Sequence, residues 1–201
     1  MTLEFPAPAG PISVREIDTL RPDELADLCE VLTACVDEGA SLGFHAPLAH
    51  QAARAYWLQL PRPGVTLLVA EAEGQIGGTV QLHAAGSANG AHRGEVAKLL
   101  VHPAWRRRGV ATSLMRALEA LARQRGKRLL VLDIREGDPS NVVYAALGYL
   151  QGGRIPDWAR DARGELTATV FWYKQLASVE PSSGHADDLQ PASPYPPAPE
   201  E

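Results

Sequence analysis

The sequence predicts an α/β fold, one domain over residues 12–176 in which a central mixed β-sheet is flanked by helices. Three observations carry this. Apolar residues recur alternately with strand period and helical period, so the two kinds of element are interleaved along the chain. A strand–helix–strand run over residues 95–134 requires a parallel strand pair with a right-handed crossover. The final segment, 177–201, has a different composition and separates from the rest.

The elements follow in order. ISVREI (12–17) alternates apolar and polar residues and reads as a strand. A helix is predicted over 22–38, with Leu25, Leu28, Leu32 and Val36 at helical spacing and Gly39 as its stop. A second is predicted over 48–60, with Ala52, Tyr56 and Leu60 on one face and PRPG ending it. VTLLVAEAE and IGGTVQLHAA, separated by Gly74-Gln75, predict a hairpin, and 85–93 reads as a polar loop. EVAKLLV (95–101) and RLLVLDI (128–134) are apolar enough to predict strands buried on both faces. Between them Val110, Leu114, Leu118 and Leu121 make the stripe of a helix over 110–125, closed by Gly126. A short helix over 139–147 follows, with Asp138 as its N-cap. A strand from Tyr149 and an antiparallel strand over 166–176 end the domain.

Composition narrows the functional classes. Hydrophobic residues make up 45% and charged residues 21%, as in ordinary globular proteins. No apolar run approaches the length of a bilayer span, and the amino end lacks the pattern of a secretory signal, so a cytoplasmic protein without membrane attachment is expected. Residues 1–11 are expected to be flexible. Residues 177–201 hold five acids, six prolines and no Lys or Arg, and therefore carry the whole formal charge of −5. That tail is expected to be disordered. The remaining chain is formally neutral, which argues against nucleic-acid binding. Cys29 and Cys35, six apart in one helix, would lie about 9 Å apart and are expected to be unbridged. No metal-ligand spacing is visible.

VHPAWRRRGVA (101–111) carries the chemistry. A strand ends at Val101, and Gly109 sits where a helix begins. Main-chain N–H groups at such a start lack intrahelical partners, and the helix dipole adds partial positive charge. Glycine permits close approach of a ligand. These features suit an anion cradle built from backbone, neither Walker A nor GxGxxG. A solvated arginine run capping a helix fits the same spacing.

Arg106, Gly109 and Ala111 fall in the pattern Q/R-x-x-G-x-G/A after LLVHP; LLVLDI and then Asn141, Tyr144, Gly148 and Tyr149 follow. This succession resembles the GNAT superfamily of N-acetyltransferases over about residues 12–176. The ending Gly153, Ile155, Pro156, Ala159, Gly164 and Thr169 to Lys174 is similar to the tabtoxin-resistance acetyltransferases, with Trp158 where these have Tyr. The resemblance implies acetyl-CoA as acyl donor. It implies main-chain bonds to the pantetheine arm from Leu99, Leu100 and Val101. The pyrophosphate would lie on the backbone of Arg106, Arg107, Arg108, Gly109, Val110, Ala111 and Thr112. Asn141 is a further cofactor contact by this resemblance, although only two residues separate it from Tyr144 where many members have more.

An amine is roughly 99.9% protonated at pH 7 and must lose a proton before attacking a thioester. The resemblance assigns Tyr144 as the acid for the leaving sulfur. Asp133 and Glu95 compete as base, each eleven residues ahead of a motif residue (Tyr144 and Arg106), and a water chain is the alternative. The expected reaction moves acetyl from acetyl-CoA to a small-molecule amine by direct attack in a ternary complex. Acetylation of a protein N-terminus or lysine, and a non-catalytic acyl-CoA-binding module, are the other readings. Oligomeric state is open, with a homodimer among the options. The acceptor pocket is expected to be walled by 40–60, 85–93 and 152–165.

Overall fold

The computed structural model of the chain describes residues 5–8, 10–40, 43–161 and 164–177. The tail expected to be disordered lies outside these residues from 178 on, as do 1–4 and 9 of the stretch expected to be flexible. The chain runs β1 (Ser13–Ile17), α1 (Pro22–Asp37), α2 (His50–Trp57), β2 (Val65–Ala72), β3 (Gln75–Ala84) and β4 (Arg93–Val101). It continues through α3 (Val110–Gln124), β5 (Leu129–Arg135), α4 (Asn141–Ala146), β6 (Leu150–Arg160) and β7 (Leu166–Gln175). The seven strands form one sheet in the order β1-β2-β3-β4-β5-β7-β6. β4 and β5 pair in parallel and every other neighbouring pair is antiparallel, so the predicted mixed α/β domain is the one observed.

Helices cover both faces. Leu114, Met115 and Leu118 of α3 are fully buried with Val80, Leu130 and Trp172. On the opposite face Leu28 and Leu32 of α1 and Trp57 of α2 are buried with Leu67, Val69 and Ile76. Burying each such side chain contributes about 1.5–3 kcal/mol. α1 starts where the local chemistry favours it. Pro22 occupies its first turn, and the Glu24 carboxylate accepts the Arg21 amide at 2.7 Å in a capping box. Glu24 also takes Arg15 of β1 at 2.7 Å, which ties the helix to the sheet edge.

Three expectations need correction. The buried face of α2 is Ala53 and Trp57, followed by Leu60, one position beyond the expected Ala52–Tyr56 stripe. The hairpin turns on Glu73 (φ 53°) and Gly74 (φ 82°), with Gln75 already in β3; two left-handed residues give the turn whose twist suits a hairpin. Neither β4 nor β5 is buried on both faces. Glu95 and Asp133 are exposed beside buried Val96 and Leu132, because the sheet opens between these two strands.

Part of the stretch expected to be flexible is packed. The Phe5 ring lies 4.0 Å from that of His102, and the Pro6 and Pro8 carbonyls accept Trp105 Nε1 (2.9 Å) and Arg108 Nη1 (3.0 Å).

Candidate active site

The site begins as a failure of strand pairing. β4 and β5 share three rungs, Arg93–Leu129, Gly94–Leu130 and Glu95–Val131. Beyond them β4 follows β3 as far as Val101, β5 follows β7 as far as Arg135, and the two strands part. A bulge sharpens the divergence. Lys98 is left-handed (φ 50°), and three steps of β4 from Ala97 to Leu100 stand against two of β3 from Gln81 to Thr79. Thr79 Oγ1 donates to the bulged Lys98 carbonyl at 3.0 Å.

At the mouth of this opening the chain leaves β4 and enters α3. Trp105 is fully buried against β3 so closely that a Cβ on Gly77 would overlap its indole ring. Arg107 (φ 61°) and Gly109 (φ 77°) are left-handed, and no heavy atom lies within 4 Å of a Cβ position on Gly109. The first amide to close onto the helix is that of Ser113, to the Gly109 carbonyl at 2.9 Å. The amides of Val110, Ala111 and Thr112 therefore have no acceptor within the helix. Arg106, Arg107 and Arg108 are exposed, and two of the three side chains are held by the protein. Arg106 donates through Nε to the Val101 carbonyl at 3.1 Å and pairs through Nη1 with Glu38. Arg108 holds Pro8 as described. The loop thus presents backbone, with Arg106 and Arg108 as its braces.

One face of the sheet carries a polar floor. Alternation places Gln81 and His83 of β3, Glu95 of β4 and Asp133 of β5 on the same side, because His83 is the register partner of Glu95 and Glu95 that of Val131. Thr169 Oγ1 donates to Asp133 Oδ2 at 3.2 Å. Gln81 Nε2 donates to the Tyr56 hydroxyl at 2.9 Å, and its Oε1 lies 2.8 Å from His83 Nε2. A carbonyl oxygen only accepts, so His83 carries its proton on Nε2 and keeps Nδ1 as an acceptor. Burial lowers the His83 pKa from its usual 6.5, partly opposed by the Glu95 charge, so the ring is largely neutral at pH 7. Lys98 Nζ lies 5.7 Å from the Phe44 ring centroid and 5.8 Å from that of Tyr56. Burial lowers its pKa, and Asp133 and Glu95 act against that shift. Titratable groups with shifted pKa values gathered in a cleft make this a candidate functional site.

Tyr144 lies on the other face. It is 4% exposed, with Tyr149 at 5.8 Å and Trp172 at 6.4 Å between ring centroids. Burial, and secondarily the Asp138 charge, raise its phenol above the usual 10, which keeps it protonated. α4 begins at Asn141 with Ser140 at its N-cap, two residues later than expected; Asp138 sits in the turn before it, accepting the Ser140 amide at 2.9 Å and its hydroxyl at 2.6 Å. The Asn141 side chain is engaged with the protein. Its Nδ2 donates to the Arg135 and Asp138 carbonyls at 3.1 and 2.8 Å, and its Oδ1 accepts Trp172 Nε1 at 2.9 Å. Both amide hydrogens are used, which leaves the second lone pair of Oδ1 as the side chain's remaining hydrogen-bonding capacity.

Glu95 and Asp133 are therefore brought to one face, Leu99, Leu100 and Val101 line the parted strand, and residues 106–112 stand at its mouth. Tyr144 approaches from the opposite face. Sequence reasoning missed Gln81, His83, Lys98, Thr169, Phe44 and Tyr56. Two signals were available: Lys98 interrupts an apolar strand, and Gln81 and His83 recur with strand period in VQLHA.

A cavity of about 310 Å³ reaches the floor through Phe44, the ring near Lys98, and is lined also by His45 and by Ala159, Arg160 and Asp161 at the end of β6. Two of the expected walls, 40–60 and 152–165, contribute to it; Ala88–Gly90 of the third forms a short 3-10 turn elsewhere. Among the described residues no His, Cys, Asp and Glu cluster could hold a metal ion, and no helix is long and apolar enough to cross a membrane.

Comparison with known proteins agrees with this geometry. Residues 30–149 match the model of the acetyltransferase (GNAT) family. The chain is 36% identical over 128 residues to an uncharacterized N-acetyltransferase of Azospirillum brasilense, covering 62% of this chain and 76% of that one. The ribosomal-protein-alanine N-acetyltransferase of Brucella melitensis superposes with a TM-score of 0.69 at 20% identity, over 82% of this chain and 99% of that one. The acetyltransferase yncA of Salmonella typhimurium, solved with acetyl-CoA, gives 0.63 at 20% identity, over 88% and 99%. With its loop, parted strands and family match in agreement, the chain belongs to the GNAT family of acetyltransferases.

Proposed function

We propose that this protein transfers acetyl from acetyl-CoA to the amine of a small molecule, by direct attack in a ternary complex. The observation that carries the reading is the parting of β4 from β5 after Glu95 and Val131, in line with the start of α3. The residues fit the donor. A strand edge without a ladder partner offers amides and carbonyls to the amide-bearing arm; Leu99 and Val101 face the opening, while Leu100 between them turns its main chain to β3. The open cradle at Gly109, with the amides of Arg107 to Thr112, suits the pyrophosphate. Bound acetyl-CoA supplies an activated acyl group on a thiolate leaving group.

The chain's own residues handle protons. Asp133, steadied by Thr169, or Glu95 beside neutral His83, takes the proton that the incoming ammonium must lose. Tyr144, kept protonated by burial, gives one to the departing sulfur from the other side of the sheet. The small cavity beside the floor favours a small acceptor over a protein surface, being at the lower end of small-molecule pocket sizes. The Gly153-to-Lys174 ending keeps the closer kinship with the tabtoxin-resistance type in this proposal.

The test follows thiol release from acetyl-CoA over a panel of amines, with Tyr144→Phe alongside. Turnover on small amines, lost in Tyr144→Phe while acetyl-CoA still binds, is the expected result. Tight acetyl-CoA binding without turnover on any amine would instead support an idle acyl-CoA-binding module.

A further inference from the structure

β6 contains an irregularity that the fold does not need. Its ladder to β7 holds at Ile155–Thr169 and resumes at Ala159–Thr167. Pro156, Asp157 and Trp158 therefore stand against one residue, Ala168. Asp157 is forced left-handed (φ 53°) in making this bulge. Bulges re-aim side chains, and Trp158 is 52% exposed on this edge strand, whose residues are exposed throughout except at Ala159. The ring meets Phe171 edge to face, 5.6 Å between centroids at 84°. Phe171 is the register partner of Asp133, so the indole is held beside the carboxylate floor.

The floor is framed by a second aromatic pair. Phe44 and Tyr56 meet at 5.6 Å and 87°, with Lys98 over both. Phe44 also walls the cavity whose far side is Ala159, Arg160 and Asp161, the residues directly after Trp158. Charge limits what can enter. Glu95 and Asp133 against Lys98 leave one negative charge around the lysine, while Arg62 adds a positive charge at the His83 and Tyr56 end of the floor, and Arg160 and Asp161 bring one charge of each sign to the rim. An acceptor with one positive charge balances the charge around the lysine. A second cation has no counter-charge there, and an added carboxylate faces two others.

We propose that Trp158 is the specificity-determining wall of the acceptor site, and that the acceptor is a singly charged primary amine on a compact planar or apolar body. This rests on the acetyl-transfer reading above. The indole offers a flat surface to such a body and its π face to the ammonium.

The experiment compares acetyl transfer to phenylethylamine, phenylalanine and putrescine by the wild-type protein, Trp158→Ala and Trp158→Phe. It records kcat and KM for each amine, KM for acetyl-CoA, Tm and oligomeric state. Phenylethylamine is expected to lead the other two in kcat/KM by about tenfold or more. Trp158→Ala is expected to raise its KM about tenfold with kcat, acetyl-CoA KM and Tm held, and Trp158→Phe to restore most of the loss. Preference for the zwitterion or the dication overturns the proposal. So does an unchanged KM in Trp158→Ala, including the case in which that variant only breaks a dimer and Trp158 proves to be a docking surface for a second copy. If the wild type transfers acetyl to none of the three, calorimetric titration with phenylethylamine separates the two claims. Binding that needs Trp158 keeps the acceptor proposal while the transfer reading falls; no binding overturns the acceptor proposal as well.

Discussion

The two sides of the opening between β4 and β5 are built from different materials. The side proposed for the donor, residues 99–101 and 106–112, is mostly main chain: an unladdered strand edge, a left-handed loop and the first amides of α3. The side proposed for the acceptor is mostly side chain, with Gln81, His83, Glu95, Lys98, Asp133 and Thr169 arriving from four strands. A backbone site tolerates changes of side chain and fails when the chain path is blocked. A side-chain site behaves in the opposite way. The contrast therefore implies a graded set of responses to substitution.

The largest is expected at Gly109. A glutamate there would place a carboxylate against the pyrophosphate at a left-handed position, and acetyl-CoA affinity should fall by about 1000-fold or more, the equivalent of about 4 kcal/mol. Gly109→Ala, which carries the backbone strain without the charge, separates the two causes when both are titrated by calorimetry and melted. Next comes Tyr144→Phe, expected to lower kcat by about 100-fold with acetyl-CoA affinity unchanged. The lower end of the range for general acids applies because a thiolate is already a good leaving group.

Asp133→Asn and Glu95→Gln sharpen the acceptor side. One of the pair should lose about 30–100-fold in kcat and the other less than tenfold, and the larger loss identifies the base. The pH profile adds a sign. Tyr144 works as an acid only while protonated, and its pKa is raised above 10, so the loss of that proton cannot lower kcat until the pH exceeds 10. A decline in kcat that tracks Tyr144 below pH 9 would contradict the assignment. The smallest effects are expected at Arg106, Arg107 and Arg108. Single alanine changes should weaken acetyl-CoA binding about two- to fivefold, since exposed charges contribute under about 1 kcal/mol each.

The same contrast explains what was legible from the sequence. The element order and the loop entering α3 at Gly109 could be read, because period and the glycine at the helix start are local patterns. The single parallel pair could also be read, since a helix joining two strands requires a crossover. The insertion of β7 between β5 and β6 could not, because both its neighbours are antiparallel and no local residue marks the choice. EVAKLLV and RLLVLDI read as doubly buried because their composition is apolar. The sheet parts there, and Glu95 and Asp133 occupy the exposed side. Lys98 and His83 escaped notice for a related reason. Each is an ordinary polar residue in its own strand and becomes unusual only when β3, β4 and the Phe44–Tyr56 pair are assembled. The Asn141 side-chain hydrogens go to the Arg135 and Asp138 carbonyls, a use that only the folded turn before α4 reveals.

Backbone recognition of acetyl-CoA is the central claim, and amide hydrogen exchange tests it most directly. The full chain is compared with and without saturating acetyl-CoA. Protection is expected to rise at Leu99 and Val101 and across residues 107–112, and to change little at Leu100, whose amide faces β3, and along the β2–β3 ladder. Saturated binding with no added protection in either segment would contradict a main-chain cradle.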